Sequence, residues 1–294
     1  MPTNLRVRLV TGASLPDGDA ETRFLAEHLA AAGWTVDVAI WSDPEVDWSE
    51  APITVIRSTW DYPDRLDDFL AWTRAAAEHT RLHNPPDLVL RNIDKRYLLA
   101  LAEAGVATVP SRWVESTEPG PIRDAMTDEG WREVVMKPCV GVDGVGVVRI
   151  AAGSPIPQLP ACSAGWLIQP YLPAVTTAGE RSVLLFGGEL SHTVSKRPGP
   201  DEFRVQERWG GRTDATPNDP TVAGLAREAL TAFVGPNASP PLYARIDLLP
   251  DDGEWLVTEI ELIEPSFYLD DRPERAAAFE RALQGEASPA RSRS

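Results

Sequence analysis

Apolar and polar positions change their spacing several times along the 294 residues, and each change marks an element. Residues 5–11 form an apolar-rich strand that ends in the turn Thr11-Gly-Ala-Ser-Leu-Pro16. An amphipathic helix is predicted near 19–32, stopped by Gly33, and strands follow over 34–41 and 53–57. This β-α-β-β opening predicts an open α/β unit. A helix from about 64 to 80 puts Leu66, Phe69, Leu70 and Thr73 on one stripe. Asn92-Ile-Asp-Lys95 opens a further helix, Arg96 to Ala104, which Gly105 ends before an extended Val106 to Pro110.

Beyond residue 130 the period is mostly two. Strands Glu133 to Lys137 and Val147 to Ile150 flank a loop with glycines at 141, 144 and 146, and Trp166 to Leu172 runs from strand into loop. Gly187-Gly188 joins Arg181–Phe186 to Glu189–Lys196 as a hairpin. A second hairpin begins at Tyr243, turns at Pro250 to Gly253 and continues to Glu261. Helices are predicted near 219–233 and from Arg272 to Gln284, and 285–294 reads as a disordered tail. The class is mixed, α/β (α+β).

A hydrophobic content of 43% allows a full core. The net charge of −16 works against nucleic acid and anionic membrane as partners, so any phosphate site has to be locally basic. Cys139 and Cys162 make neither a disulfide framework nor a zinc pattern, which fits a reducing compartment. No signal-peptide pattern is present, and no apolar run approaches the roughly 20 residues of a membrane helix. A cytoplasmic location is expected, and assembly as a homodimer stays open.

Candidate chemistry concentrates on the second hairpin. Strand alternation puts Arg245 and Asp247 on one face and Glu259 and Glu261 on one face, and the register decides whether the two sets meet. Carboxylate oxygens suit a hard cation such as Mg²⁺. The hairpin reads either as a Mg²⁺–nucleotide platform or as an edge with a solvated acidic face. Gly141, Gly144 and Gly146 lie between two strands, without a Walker ending, and read as a flap whose amides approach phosphate. The first turn lacks the spaced glycines of a dinucleotide fingerprint.

Lys95, in the first turn of its helix, completes a phosphate site or is a surface lysine. The Gly187-Gly188 register makes Arg181 and Lys196 diagonal neighbours, and with Arg204 they read as a clamp for phosphate or carboxylate. Thr59, Trp60, Asp61 and Tyr62 follow a strand of the α/β unit, where small ligands are bound. Asp61 there pairs with an ammonium, or it caps a turn while the rings pack. His192 reads as a packed sheet residue, and Cys139 has no histidine nearby in sequence to make it a nucleophile.

Lys95, Met136-Lys-Pro138 with its glycine flap, Ile168-Gln-Pro-Tyr-Leu172, Phe203-Arg204 with Gly210-Gly211, Ala244-Arg-Ile-Asp247 and Thr258-Glu-Ile-Glu-Leu-Ile-Glu-Pro265 occur in that order. As a set they resemble the ATP-grasp ligases over about residues 84–270, closest to glutathione-synthetase-like and D-alanine-ligase-like members. With Arg57-Ser-Thr-Trp-Asp-Tyr62, Gly179-Glu-Arg-Ser-Val183 and Ser191-His192, the whole chain is similar to the cyclo-ligases of D-cycloserine biosynthesis. The resemblance implies an ATP-grasp fold with an N-terminal Rossmann-like pre-ATP-grasp domain over 1–88 and an ATP-grasp region over 89–284. That region has a lid at about 112–170 and a catalytic part at about 171–284.

It further implies that Lys95 and Lys137 contact ATP phosphates, under Gly141, Gly144 and Gly146, and that Gln169 and the Tyr171-Leu172 backbone meet the adenine. Asp247, Glu259 and Glu261 would hold two Mg²⁺, and Arg245, Arg204 and Lys196 would be the catalytic cations. Glu261 stands where most of the family has Asn, and Gln169 replaces a frequent Glu. Arg181 lies one position before the usual arginine, which leaves its part in nucleotide binding open. The implied activity is ATP-dependent activation of a carboxylate as an acyl phosphate for attack by nitrogen, with O-ureido-D-serine cyclised to D-cycloserine. The alternatives are an intermolecular amino-acid or peptide ligase and a non-catalytic ATP-binding protein.

Overall fold

The computed structural model describes residues 5–115, 118–159 and 162–287. The first four strands are β1 (Arg6–Thr11), β2 (Thr35–Ile40), β3 (Ile53–Ser58) and β4 (Arg81–His83), parallel in the order β2-β1-β3-β4. β1 and β3 are buried almost throughout, as strands covered on both faces must be. Helix α1 (Ala20–Ala31) starts where the Asp19 carboxylate accepts the Thr22 amide, and α2 (Leu66–Ala77) follows a 3-10 turn at Tyr62–Arg65. α2 stops earlier than its apolar stripe suggests because β4 begins at Arg81. Next come the short α3 (Pro86–Asn92) and α4 (Tyr97–Glu103). α3 was not expected from the sequence, being too short to show a period.

A second sheet holds β5 (Arg112–Val114), β6 (Glu133–Pro138), β7 (Val148–Ala151) and β8 (Trp166–Pro170), antiparallel in the order β5-β8-β6-β7. Helix α5 (Pro119–Asp128) covers it, with Ile122, Ala125 and Met126 packed on Val134, Met136 and Trp166. After the single turn α6 (Ala174–Thr177) comes a five-stranded antiparallel sheet. It consists of β9 (Glu180–Phe186), β10 (Glu189–Arg197), β11 (Arg212–Thr216), β12 (Tyr243–Asp251) and β13 (Glu254–Glu261), in the order β11-β10-β9-β12-β13. β11 was not singled out from the sequence.

Helix α7 (Pro220–Val234) packs Ala226, Leu230 and Phe233 on Ile246, Leu248 and Ile260 of one face. On the opposite face of the same sheet, Leu184, Phe186 and Tyr243 share a core with Leu9, Leu25 and Val55 of the parallel unit and with Phe279 of α8 (Pro273–Ala287). α8 runs through Gly285, where the sequence puts the tail to begin, and 288–294 lie outside the described residues.

Two bulges decide what faces where. The β12–β13 turn has Asp252 and Gly253 at φ 46° and 89°, the left-handed pair a tight hairpin needs. It pairs Asp251 with Glu254 and, continuing, Leu248 with Val257. That register alone would put Asp247 opposite Thr258. The shift after Leu248 leaves Thr258 as an extra residue, so Asp247 pairs with Glu259 and Arg245 with Glu261, and all four side chains leave one face. The β9–β10 hairpin shifts likewise between Leu190 and His192, which sets Arg181 opposite Ser195 and Lys196 opposite Glu180. Arg181 and Lys196 therefore emerge on opposite faces, and the expected clamp of Arg181, Lys196 and Arg204 does not form. Arg181 instead donates to Thr216 Oγ1 at 2.7 Å, away from the main cavity.

Candidate active site

A cavity of about 690 Å³ lies where the glycine loop, the β12–β13 face and the first helices of the chain meet. Its floor is the acidic face set up by the Thr258 bulge. Asp247 is 3% exposed, and all its acceptor positions are used. Oδ1 accepts from Ser182 Oγ (2.6 Å) and Arg245 Nε (3.0 Å), while Oδ2 accepts from Lys196 Nζ (2.8 Å) and the second Arg245 nitrogen (3.0 Å). Burial alone would push this carboxyl up, but the two cations outweigh it and hold Asp247 below the usual carboxylate range. Arg245 also pairs with Glu261.

Lys196 pairs with Glu180 at 2.5 Å as well as with Asp247, and these carboxylates outweigh its burial and keep its pKa raised. Lys196 is thus a buried support beneath the cavity wall. Glu180 lines the cavity and was missed from sequence, since only the bulge turns it inward.

The nucleotide candidates lie at the glycine-loop end. Lys95 donates to Gly141 O at 2.7 Å and pairs with Glu259 at 3.2 Å. Burial pushes the Glu259 carboxyl up, but Lys95 and Lys137 outweigh it and leave its pKa lowered. Lys137 also lines the cavity, and burial pushes its pKa down. Gly141 and Gly144 reach the cavity, whereas Gly146 lies beside Pro138 and Trp166 and does not line it. Arg208 pairs with Asp143 at 3.2 Å and Trp209 Nε1 donates to Asp143 O at 2.9 Å, tying this loop to the segment after β10.

Arg204 lines the cavity, but its guanidinium is committed to Glu202 and lies 3.4 Å from the Trp209 ring centroid. Gln169 donates to Ser111 Oγ at 2.9 Å. The Tyr171 amide is taken by Glu133 O at 2.9 Å, whereas the Leu172 amide has no acceptor among the described residues.

Trp60 and Tyr62 also line the cavity, while Thr59 and Asp61 do not. Trp60 Nε1 donates to Glu264 O at 3.3 Å, and the Tyr62 ring stacks on Phe69 at 4.7 Å. Asp61 accepts from Trp41 Nε1 at 2.9 Å and from the Ala13 amide at 3.0 Å. It fills the space beside Gly12, where a Cβ would lie 2.2 Å from its Oδ1. The expected ammonium partner is therefore a packing and turn residue.

Glu21 and Glu264 also line the cavity and are not signalled by the sequence. Glu21 was hidden inside a helix start, and Glu264 was quoted only as the close of a motif. Burial and the neighbouring charge of Glu261 push the Glu264 carboxyl up to about 8, and burial, opposed by Arg245, leaves Glu261 at about 7.

Glu259 and Glu261, two apart on one strand, put oxygen donors side by side on the cavity floor, and such donors suit Mg²⁺. Asp247 has no acceptor position left for a metal while Arg245 and Lys196 hold it. Among the described residues no group of three metal-ligating side chains is preassembled.

Residues 7–84 match the family model of the D-cycloserine synthetase DcsG N-terminal domain. The cycloserine biosynthesis protein DcsG of Streptomyces lavendulae is 34% identical over 297 residues, spanning 96% of this chain and 98% of that protein. The crystal structure of D-cycloserine synthetase DcsG superposes with a TM-score of 0.84 at 29% identity, covering 96% of this chain and all of the other. The ATP-grasp ligase PsnB, solved with a variant of its minimal precursor, Mg and ADP, shares the fold with a TM-score of 0.64 at 16% identity, over 95% and 99% of the two chains.

Proposed function

Since this chain belongs to the family of the D-cycloserine synthetase DcsG and is an ATP-dependent ligase of the ATP-grasp fold, we propose that it cyclises O-ureido-D-serine on the way to D-cycloserine. ATP passes its γ-phosphoryl group to the substrate carboxylate, and ADP leaves. The nitrogen bonded to the substrate's own side-chain oxygen then attacks the acyl carbon, a C–N bond forms and phosphate departs with the C–O bond. Ring closure leaves the carbamoyl group on the ring nitrogen, and water must remove it to give D-cycloserine. Because nucleophile and electrophile sit in one molecule, the attack avoids most of the entropic cost of bringing two substrates together.

The chain's own contribution is position and charge. Lys137 and Lys95 hold phosphate oxygens beneath the glycine loop, with Leu172 N–H the donor for the adenine edge. Mg²⁺, when bound, neutralises phosphate charge, and Glu259 and Glu261 would hold it. A second ion would need Asp247, after Arg245 and Lys196 release it. Arg245 stabilises negative charge that develops on the carboxyl oxygens, and Arg204 joins it if Glu202 lets go. Lys196 acts from behind by fixing Asp247 and hence Arg245.

The observation that carries the substrate choice is the likeness to DcsG along the entire chain rather than over the nucleotide region alone. The experiment supplies ATP, Mg²⁺ and O-ureido-D-serine and follows ADP and the ring product. ADP release with this single amino acid is expected. A requirement for a second amino acid would replace cyclisation by intermolecular ligation, and no ADP release with any amino acid would make the protein a nucleotide binder.

A further inference from the structure

An ionisable group that is taken out of water and given no partner is ready for a ligand of the opposite charge, since nothing in the protein compensates the burial of its charged form. Among the described residues, the buried and half-buried carboxyls that line this cavity are almost all spoken for. Glu21 pairs with Arg57, Glu180 with Lys196, Asp247 with Arg245 and Lys196, Glu259 with Lys95, and Glu261 with Arg245. Asp19 is used as the α1 cap. Glu264 lines the cavity beside the neutral Tyr62 and has no cation within ion-pair distance among the described residues. On the cationic side, Lys137 is the counterpart, lining the cavity without an ion pair or hydrogen bond.

These two groups without a charged partner in contact match the two ends of a reaction that joins a polyanion to an amino acid. Lys137 belongs with the phosphates. Glu264 lies three residues beyond the Glu259–Glu261 floor, next to Trp60, and both sides of its backbone are fixed from the parallel unit. Trp60 Nε1 donates to Glu264 O, and Arg57 donates to Pro265 O at 3.0 Å. The place is rigid, half-buried and flanked by an aromatic face that suits a cation.

We infer that Glu264, held in place by Trp60 and Arg57 through the backbone, receives the positively charged amino group of the substrate and makes the cavity selective for an amino acid over the same acid without its amino group. This rests on the ligase reading above and names how that cavity recognises its substrate. Burial and the Glu261 charge raise the Glu264 pKa to about 8 in the free protein, which is the penalty an arriving ammonium would offset.

The test compares wild type with Glu264→Gln, which keeps the shape and loses the charge, and with Glu264→Asp, which keeps the charge on a shorter arm. With O-ureido-D-serine, Glu264→Gln is expected to raise the KM for the amino acid by about ten-fold or more, as loss of a charge-assisted hydrogen bond does. The KM for ATP and the half-saturating Mg²⁺ concentration stay unchanged, and Glu264→Asp recovers part of the loss. Wild type discriminates against the des-amino analogue, and Glu264→Gln does not. An unchanged amino-acid KM, or a loss that appears in the ATP or Mg²⁺ dependence, overturns the assignment, the latter in favour of a metal ligand.

If wild type does not turn over O-ureido-D-serine, the substrate reading fails by itself. The inference is then read from thermal shifts with D-serine and with 3-hydroxypropionate in the presence of ADP and Mg²⁺. A shift given by D-serine alone and lost in Glu264→Gln supports it, and equal shifts, or none in wild type, overturn it.

Discussion

Arg57 on β3 donates to Glu21 on α1 at 2.7 Å, and the pair together holds the segment that follows β13. Glu21 accepts the Phe267 amide at 2.6 Å and the Leu269 amide at 2.9 Å, while the Arg57 guanidinium lies 3.5 Å from the Phe267 ring centroid. Phe267 and Leu269 are thereby buried, and the alternate residues Ser266 and Tyr268 turn to the cavity. Replacing Glu21 by Ala leaves Arg57 buried and unpaired and two amides without an acceptor. The expected outcome is a loss of about 3–5 kcal/mol in stability, with a higher KM for the amino-acid substrate. Chemical denaturation and steady-state kinetics check both, and a variant normal in both would remove the pair from any positioning role.

Lys137 makes no ion pair or hydrogen bond among the described residues, so its removal separates binding from stability. Lys137→Ala is expected to weaken ATP binding about ten-fold or more, while the melting temperature changes little, because the burial that disfavours the Lys137 charge offsets its attraction to Glu259. Calorimetric titration and a thermal melt on the same sample decide it. A fall in melting temperature with intact ATP affinity would assign Lys137 to structure.

Asp61 gives the opposite pattern. Asn offers one acceptor oxygen where Asp61 now serves both Trp41 Nε1 and the Ala13 amide, so one donor is stranded. Asp61→Asn is expected to cost about 1–3 kcal/mol of stability and to leave the KM for both substrates nearly unchanged. A raised amino-acid KM with an unaltered melting temperature would return Asp61 to the substrate site.

Two histidines tie stability to pH. Burial, aided by Arg81 for His83 and by Arg275 for His192, lowers each to about 4. His192 stays neutral with its ring between Ser191 Oγ and Phe267 O, each at 2.9 Å. In the unfolded chain both take up protons near pH 6.5, so their contribution is intact above that pH and is lost as pH falls toward 4. The expected slope is about 1.4 kcal/mol per pH unit for each histidine. Urea denaturation of wild type and His192→Gln at pH 7, 6 and 5 measures it, and the variant should lose less stability on acidification. Parallel curves would show that His192 protonates freely in the folded state.

The hairpins were legible because their turns announce themselves: Gly187-Gly188 and Asp252-Gly253 can hardly be anything else. Which face each side chain takes was not, because that depends on Ser191 and Thr258, and an extra residue in a strand leaves no mark in composition or period. The same shift spoiled the placement of Arg181 and hid Glu180. Lys95, Lys137, Glu259 and Glu261, singled out as a set only through the family resemblance, all line the same cavity. Short elements such as α3, β5 and β11 have too few residues to show a period, and tertiary packing alone fixes them.

Thr258 also imposes a rule on how this hairpin can change length. Residues can be added or removed between Asp247 and Glu259 in pairs and the two strands still present their acidic side chains together. A single insertion or deletion that leaves the extra residue in place turns Glu259 and Glu261 toward α7 and brings Ile260 to the cavity floor. Only a second change, the loss of the extra residue itself, puts them back, so odd-length variation in this hairpin has to arrive in matched steps.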